Sequence, residues 1–506
     1  MAAHMEFEFG LRGSGAAPQR KPASVMRILL MGNFSGYAEA AGPLDRRAIR
    51  QVDVDNFEQL MARYAPSVSL QLSEGEHARV DLSFSELGDF HPDSLFQRLD
   101  LFKGLRQLRG RLLDANMFSA AAAELRREAS VVGLSSATEE TADALLSPEP
   151  EGDMFERLLG REASTPATRE AVPKAGIEQF IQHVVAAHIV PEADPQQAAY
   201  VASVDDAISE QMRSLLHAPG FQALEAIWQS LHRLVTGVET NESLKLYTLD
   251  LTKVELLADL ASADDTPEKC SLYQLLVEQG IGSAGGEPWS VLAGDFIFDA
   301  GEEDITALHA MGQLAAQAGG PFLATASPQL LGCDTITEPV EKWAGLEGAA
   351  AQHWQALRQS AAARWLGLAL PRPLLRLPYG KGSEEIDSFA FEENPLPPGK
   401  HEDYLWGSPV FACAQLLADA FIERGWAMEP GDRLDIEDLP AYTFEFDGER
   451  QMLPCAEAWI SERAGEVILQ QGIMPLLSYR NRNAVRVMRF QALAFSPMIL
   501  FGPWNE

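Results

Sequence analysis

Between residues 115 and 175 the chain loses the regular apolar spacing that it shows on either side, and this break constrains how it can fold. The stretch is rich in Ala, Glu, Ser and Pro, a composition typical of a linker. On both sides apolar strands alternate with amphipathic helices, which predicts α/β units. We therefore predict a small α/β unit in 1–115, a linker with helical pieces in 116–175, and a larger mixed α/β unit in 176–506.

The acidic excess follows the same division. The 506 residues carry 40 Lys and Arg against 73 Asp and Glu, a net charge of −33. Residues 1–150 contribute 16 basic and 21 acidic side chains, or −5, and the remainder contributes 24 and 52, or −28. Such a surface repels nucleic-acid phosphates and anionic lipids. We expect no nucleic-acid partner and no direct membrane insertion.

From the N-terminal sequence we expect no secretory signal. The N-terminus is polar and lacks the apolar core of a secretory signal. The opening sequence MAAHM is typical of an appended leader, residues 1–4, before a true start at Met5. No apolar run approaches the ~20 residues that span a bilayer. The four cysteines stand far apart, as reduced buried thiols do in a cytosolic protein. We therefore expect a cytoplasmic protein.

Periodicity predicts the elements of both units. In the first unit it predicts strands at 25–31, 67–72 and 78–84 and helices near 53–64 and 91–114. In the second it predicts helices at 176–187, 203–217, 219–235, 302–318, 339–370 and 406–425. It also predicts strands at 243–251, 288–299 and 321–327, an extended segment at 371–380, and a β-rich tail over 440–500.

Motifs that usually carry catalysis stand in the wrong context. Gly280–Gly285 matches G-x-G-x-x-G but follows a helix and precedes a strand, the reverse of a dinucleotide site. Gly380–Ser383 matches only part of a phosphate loop, which favours a solvated turn. His183 and His188 diverge around a helix instead of sharing a metal. We expect no enzymatic activity, no cofactor and no metal.

Two ordered sets of motifs carry a family resemblance. The second unit contains VDDAISEQMRSLLHAP (204–219), FQALEAIWQSLHRLV (221–235), GGPFLATASPQLLG (319–332), ARWLGLALPRPLLRLPYG (363–380), YLWGSPVFACA (404–414) and IEDLPAYTF (436–444). It resembles the large subunit of the type VI secretion contractile sheath. RILLMGNFSG, LDRRAIRQVDVDNFEQLM and VDLSFSELGDFHPDSLFQRLDLFKGLRQLRGRLL resemble the small sheath subunit. The chain thus resembles a natural fusion of the two.

The resemblance implies a structural polymer in the bacterial cytoplasm. In that family protomers stack helically around an inner tube of hexamers, and contraction drives the tube outward from a baseplate. Self-association as a helical polymer or ring is therefore expected. Trp228-Gln229-Ser230 replaces a usual Trp-Arg-Gly, and Ser408 replaces a usual Asn. These departures leave open a sheath-like accessory, such as a cap or baseplate-associated module, that forms no full sheath.

The resemblance also implies that neighbouring protomers are tied by exchanged terminal strands, a form of β-augmentation. The flexible stretch 13–23 would extend the reach of a strand at the N-terminus. The N-terminal candidates for this arm are Glu6, Phe7, Glu8, Phe9 and Leu11. The C-terminal candidates are Ile473, Leu476, Leu477, Val485 and Val487.

Two further sets of contacts are expected from the resemblance and the charge. The family's ring-shaped AAA+ unfoldase, which recycles contracted sheath, grips a short helix that matches 154–160, with Phe155, Leu158 and Leu159 as the apolar grip. Two basic stretches interrupt the acidic surface, and like charges between protomers would repel. The candidates for contacts with acidic neighbours are Arg106, Arg109, Arg111, Arg480, Arg482, Arg486 and Arg489.

Overall fold

The computed structural model describes most of the chain outside its first residues and the region after residue 127. The described residues are 25–37, 42–71, 79–114, 116–127, 197–262, 267–280, 286–396 and 398–505.

A nine-stranded mixed sheet forms the centre, in the order β2-β5-β1-β6-β7-β8-β12-β13-β9. Its strands are β1 (Met26–Gly32), β2 (Arg50–Val52), β5 (Leu244–Asp250), β6 (Val291–Phe298), β7 (Phe322–Ala326), β8 (Leu366–Leu370), β9 (Asp435–Ile436), β12 (Ile473–Ser478) and β13 (Val485–Val487). Two separate hairpins are formed by β3 (Ser67–Gln71) with β4 (Arg79–Ser83), and by β10 (Thr443–Phe446) with β11 (Glu449–Met452).

Helices cover both faces of this sheet, since every residue of β7 and β8 is buried. The helices are α1 (Phe57–Tyr64), α2 (Pro92–Arg98), α3 (Lys103–Leu113), α4 (118–127), α5 (Gln197–Leu216), α6 (Pro219–Gly237), α7 (Lys253–Ala261), α8 (Glu302–Ala318), α9 (Gly348–Gln359), α10 (Pro409–Arg424) and α11 (Glu462–Gln470). Both α8 and α10 pack on strands β6, β7 and β8.

Strand β1 of the small unit lies inside the sheet of the large unit. It pairs in parallel with β5 along its whole length on one side and with β6 on the other. All its residues except Arg27 are buried, as expected for an apolar strand with both faces covered. The boundary near residue 115 stays a prediction, but strands from both sides of it share the nine-stranded central sheet.

Most predicted elements within the described residues are confirmed, and three are wrong in part; the predicted helix 176–187 lies outside the described residues. The predicted helix 91–114 is two helices, because Leu99 adopts an extended conformation between them. The predicted helix 339–370 ends at Gln359 and is followed by β8, an apolar run that periodicity cannot distinguish from a buried helix. The tail predicted as β-rich contains helix α11.

Trp228 joins the two segments within the core. Its indole is fully buried, and its Nε1 donates a hydrogen bond to the Phe34 carbonyl oxygen at 2.9 Å. Its ring packs edge-on against Phe34, Phe57 and Tyr64, with centroids 5.6–6.0 Å apart. One residue of α6 thus contacts three aromatic residues of the first segment.

Replacing Trp228 with Phe should therefore lower the free energy of unfolding by about 1–3 kcal/mol, because the buried Phe34 carbonyl loses its donor. Equilibrium urea unfolding measures this change. Trp459, which is 39% exposed, is the matched control, and Trp459→Phe should change stability by less than about 0.5 kcal/mol. Equal effects of the two substitutions would contradict the role given to Trp228.

Candidate interaction surfaces

A buried ion cluster ties helix α6 to the extended segment after β8. Arg376 Nε donates to Glu225 Oε1 at 2.7 Å, and Arg376 Nη1 donates to Glu393 Oε2 at 2.7 Å. The two carboxylate side chains are at most 1% exposed. The guanidinium also lies 4.3 Å from the ring centroid of Tyr379. One arginine therefore compensates two carboxylates that have no access to water.

The pKa values of the two carboxyl groups shift in opposite directions in this environment. Burial raises the pKa of Glu225 despite its contact with Arg376. Burial acts in the same direction on Glu393, but Arg376, His217 and the Tyr379 amide outweigh it and lower the pKa of Glu393 to about 2. A carboxyl group whose pKa is lower in the folded than in the unfolded state stabilises the fold at pH values above its unfolded-state pKa. This contribution of Glu393 is lost as the pH falls through about 2.

A second cluster lies beside the first. Arg372 Nη2 contacts Glu457 Oε1 at 2.6 Å, and His401 Nε2 lies 3.1 Å from the same oxygen. The ring of His401 stacks on Trp406 at a centroid distance of 5.1 Å. Burial acts to raise the pKa of Glu457, but His401 and Arg372 lower it to about 2. Together the two clusters fix the irregular chain between β8 and α10.

That irregular chain forms one wall of an open groove beside hairpin β10–β11. The groove has a volume of about 660 Å³. Its aromatic and apolar lining includes Trp343, Trp406, Phe444, Met452, Trp459 and Ile460. The guanidinium of Arg480 lies 5.9 Å from the ring of Trp459.

Hairpin β10–β11 forms a two-stranded sheet of its own, separate from the central sheet. Thr443–Phe446 pairs with Glu449–Met452, and Glu445 lies opposite Arg450. Among the described residues no other strand pairs with either member, and Phe446 is 50% exposed. Each strand therefore has one edge without a strand partner among the described residues, and a two-stranded sheet alone is marginally stable in water.

The C-terminal arm candidates require a correction. Ile473, Leu476, Val485 and Val487 are fully buried or nearly so, and these residues with Leu477 lie in β12 and β13. Strand β12 pairs with β8 on one side and β13 on the other, and β13 also pairs with β9. These strands belong to the protomer's own sheet and are not free arms. The N-terminal candidates, residues 6–11, lie outside the described residues.

The predicted arginine contacts divide into two groups. Arg109 pairs with Asp205 at 2.6 Å, Arg111 with Glu124 at 2.6 Å and Arg486 with Asp435 at 2.8 Å. Arg482 pairs with Glu437, and Arg106 donates to the carbonyls of Phe96 and Leu99.

Only Arg480 and Arg489 of this set are exposed without an ion pair to another described residue. The five other arginines are already bonded within the protomer, and their contacts with neighbouring protomers stay a prediction. The expected basic surface is therefore smaller than the sequence indicates.

Phe155, Leu158 and Leu159 lie outside the described residues. Among the described residues, no three His, Cys, Asp or Glu side chains are grouped so as to hold a metal ion. Gly380–Ser383 forms a turn closed by the Ser383 amide and the Gly380 carbonyl. Within the described ranges no helix is long and apolar enough to cross a bilayer.

The cluster of Glu225, Arg376 and Glu393 was not predicted. One signal was present: Glu225 stands among Leu224, Ile227 and Trp228 in a strongly apolar helix. A charge inside such a stretch indicates a buried partner. The partner residues, Arg376 and Glu393, lie more than 150 positions further along the chain, and no sequence pattern identifies them.

Comparisons with known proteins identify the class. A family model described as "EvpB/VC_A0108, tail sheath N-terminal domain" matches residues 198–493, which places this chain among the tail-sheath proteins. A model described as "Type VI secretion system, VipA, VC_A0107 or Hcp2" matches residues 19–140.

A curated relative agrees with these models. The type VI secretion system sheath protein TssC1 of Pseudomonas aeruginosa PAO1 is 30% identical over 369 residues, which cover 70% of this chain and 73% of the relative. The chain belongs to the type VI secretion sheath family, and it joins the small-subunit and large-subunit sequences in one polypeptide. Members of this family are structural proteins, not enzymes.

Replacing Arg376 with Met should lower the free energy of unfolding by about 3–5 kcal/mol at pH 7, because two buried carboxylates lose their counter-charge. This loss of stability should be smaller at pH 4, because the unpaired carboxylates of the variant take up protons. Urea unfolding of the variant and the wild type at pH 7 and pH 4 measures the difference in the free energy of unfolding. Arg480→Met, on an exposed side chain, is the control, and a deficit that does not change with pH would contradict the electrostatic explanation.

Proposed function

We propose that this chain is a sheath protomer that polymerises around an inner tube and contracts to drive secretion. The observation that carries this proposal is the shared sheet: β1, from the segment that matches the small subunit, lies between β5 and β6 of the segment that matches the large subunit. Both sequences therefore contribute to a single body in fixed one-to-one proportion, which is what a repeating unit needs.

The partners follow from this role. The inner tube occupies the lumen, the baseplate nucleates the polymer, and a recycling AAA+ unfoldase binds the segment around Phe155, Leu158 and Leu159 after contraction. The assembly works in the bacterial cytoplasm. Co-purification with each partner tests these contacts, and unchanged unfoldase binding by the Leu158→Ala, Leu159→Ala variant would remove that site from the proposal.

Electron microscopy of the full chain co-expressed with its tube and baseplate proteins tests the main proposal. We expect tubular filaments whose wall contains this chain, and a shorter, wider form after contraction. A chain that stays a discrete ring or cap, with light scattering showing one small species at concentrations where tubes form, would contradict the protomer role and indicate an accessory module.

The two exposed arginines without ion pairs yield a prediction about assembly. In a polymer of acidic protomers, Arg480 and Arg489 are positioned to bind carboxylates of neighbours, and such exposed pairs weaken with salt. We expect the double variant Arg480→Glu, Arg489→Glu to give a severalfold lower filament yield than the wild type at low salt. We also expect the wild-type yield to fall as the salt concentration rises from about 50 to 500 mM. The internally paired Arg111→Glu is the control. Wild-type yield that is insensitive to salt would contradict this contact.

A further inference from the structure

The open groove beside hairpin β10–β11 combines aromatic rings with carboxylates. Trp343 and Phe444 line it and are half-buried, and Trp459, which also lines it, is exposed. Glu338 and Glu341 line the same groove, and among its described lining residues none is Lys or Arg. The faces of aromatic rings attract cations, and the two carboxylates add to that attraction. The chemistry of this groove therefore favours a cationic ligand.

The protein already holds one guanidinium against this surface. Arg480 lies 5.9 Å from the ring centroid of Trp459, which is within the distance at which a cation and an aromatic ring attract each other. A guanidinium suits such a site better than an ammonium, because it is planar, stacks on a ring and donates hydrogen bonds from its edge. The contact of Arg480 shows that the indole of Trp459 is accessible to a side chain of this kind.

The carboxylates are placed to receive the hydrogen bonds of a second guanidinium. The indole Nε1 of Trp343 donates to the Glu338 carbonyl oxygen at 3.0 Å, which fixes this ring beside the segment that carries both acids. Glu338 Oε1 accepts from the amides of Asp334 and Thr335 at 3.3 and 3.4 Å. Its other carboxylate oxygen has no hydrogen-bond partner among the described residues, so it can accept from a ligand.

Glu341 is also available. Its carboxylate lies 3.4 Å from Arg463, and the two side chains are 62% and 78% exposed. An exposed ion pair of this kind contributes little free energy. A ligand that brings its own cation can therefore replace Arg463 at low cost.

We propose that this groove binds an arginine side chain presented by an extended segment of a basic partner protein. The guanidinium stacks on Trp343 or Trp459 and donates hydrogen bonds to Glu338 or Glu341. The groove volume of about 660 Å³ is typical of ligand-binding clefts and exceeds what one arginine fills, so neighbouring residues of the segment fit beside it. This inference goes beyond the proposed function and does not depend on polymer formation.

Charge selects the source of this arginine. A second copy of the chain carries the same net charge of −33, so long-range repulsion opposes its approach to an acidic groove. A basic protein is attracted to the same surface, and complementary potentials of this kind favour association. We therefore assign the groove to a basic partner and not to a second copy.

Fluorescence polarisation with the full-length chain tests the inference. The probe is a fluorescein-labelled peptide, Ala-Pro-Arg-Pro-Ala-Pro-Arg-Pro, in which proline keeps the backbone extended. One control peptide has lysine in place of arginine, and another has citrulline, which keeps the shape but lacks the charge. At about 150 mM salt, where weak surface attraction is screened, we expect the arginine peptide to bind at least threefold more tightly than the lysine peptide and at least tenfold more tightly than the citrulline peptide.

Substitution of the rings tests the location. Trp343→Ala and Trp459→Ala should each weaken binding about threefold to tenfold, because each removes a face on which the guanidinium stacks. Trp459→Phe keeps a ring on an exposed side chain and should weaken binding less than Trp459→Ala. Phe495→Ala is the matched control, since Phe495 is 55% exposed and lies outside the groove. It should change the affinity by less than about twofold.

Paired substitution of acids separates the groove from the general acidity of the chain. The double variant Glu338→Gln, Glu341→Gln should weaken binding severalfold. The exposed Glu239 and Glu242 are the control, because Glu239→Gln with Glu242→Gln changes the net charge by the same amount and should leave binding nearly unchanged.

Three results would overturn the inference. Equal losses in the two double variants would show that the peptide binds through net charge alone. Equal affinity of the arginine and citrulline peptides, or full affinity in both Trp→Ala variants, would remove the guanidinium from the groove. Displacement of the bound peptide by self-association of the unlabelled wild-type chain would assign the groove to a second copy instead of a basic partner.

Discussion

The insertion of β1 between β5 and β6 is the constraint on which the rest of the structure depends. Parallel strands need a neighbour on each side to satisfy their backbone groups, and β1 satisfies one edge of each of the two strands beside it. Without β1, the large segment would have a gap at the centre of its sheet. Without β5 and β6, the small segment would expose an apolar strand.

The buried ion clusters restrict the loop conformation and are not the cheapest way to stabilise the fold. Removing charges from water is costly, and a well-packed apolar replacement is often at least as stable. Arg376 nevertheless occupies a position where two carboxylates from distant segments converge. The clusters define which loop conformation is allowed, because any other arrangement leaves a carboxylate unpaired. They hold the irregular chain between β8 and α10 in the one geometry that shapes the aromatic groove.

Sequence periodicity predicts the elements of this fold better than their arrangement. The apolar runs at 25–31 and 243–251 are identifiable as strands, but neither run contains a pattern that predicts their pairing with each other. The arginines illustrate the same limit. Arg109 and Arg486 look like free basic residues in the sequence, and only the fold shows that Asp205 and Asp435 neutralise them. The family was identifiable because its motifs are long and ordered, whereas the buried cluster depends on contacts between residues more than 150 positions apart.

The central place of β1 also has a consequence for biosynthesis. About 210 residues separate Gly32 from Leu244, so at roughly 5–20 residues per second the ribosome makes β1 some 10–40 s before its first partner strand. If the two sequences were separate chains, that search would be bimolecular and would depend on expression level. Joined by a tether, the strand meets its partners at a local concentration on the order of millimolar. In a fused chain, pairing of the strands therefore does not depend on the cellular concentration of two separate proteins. Each translated chain also contains both parts of the sheet in a one-to-one ratio.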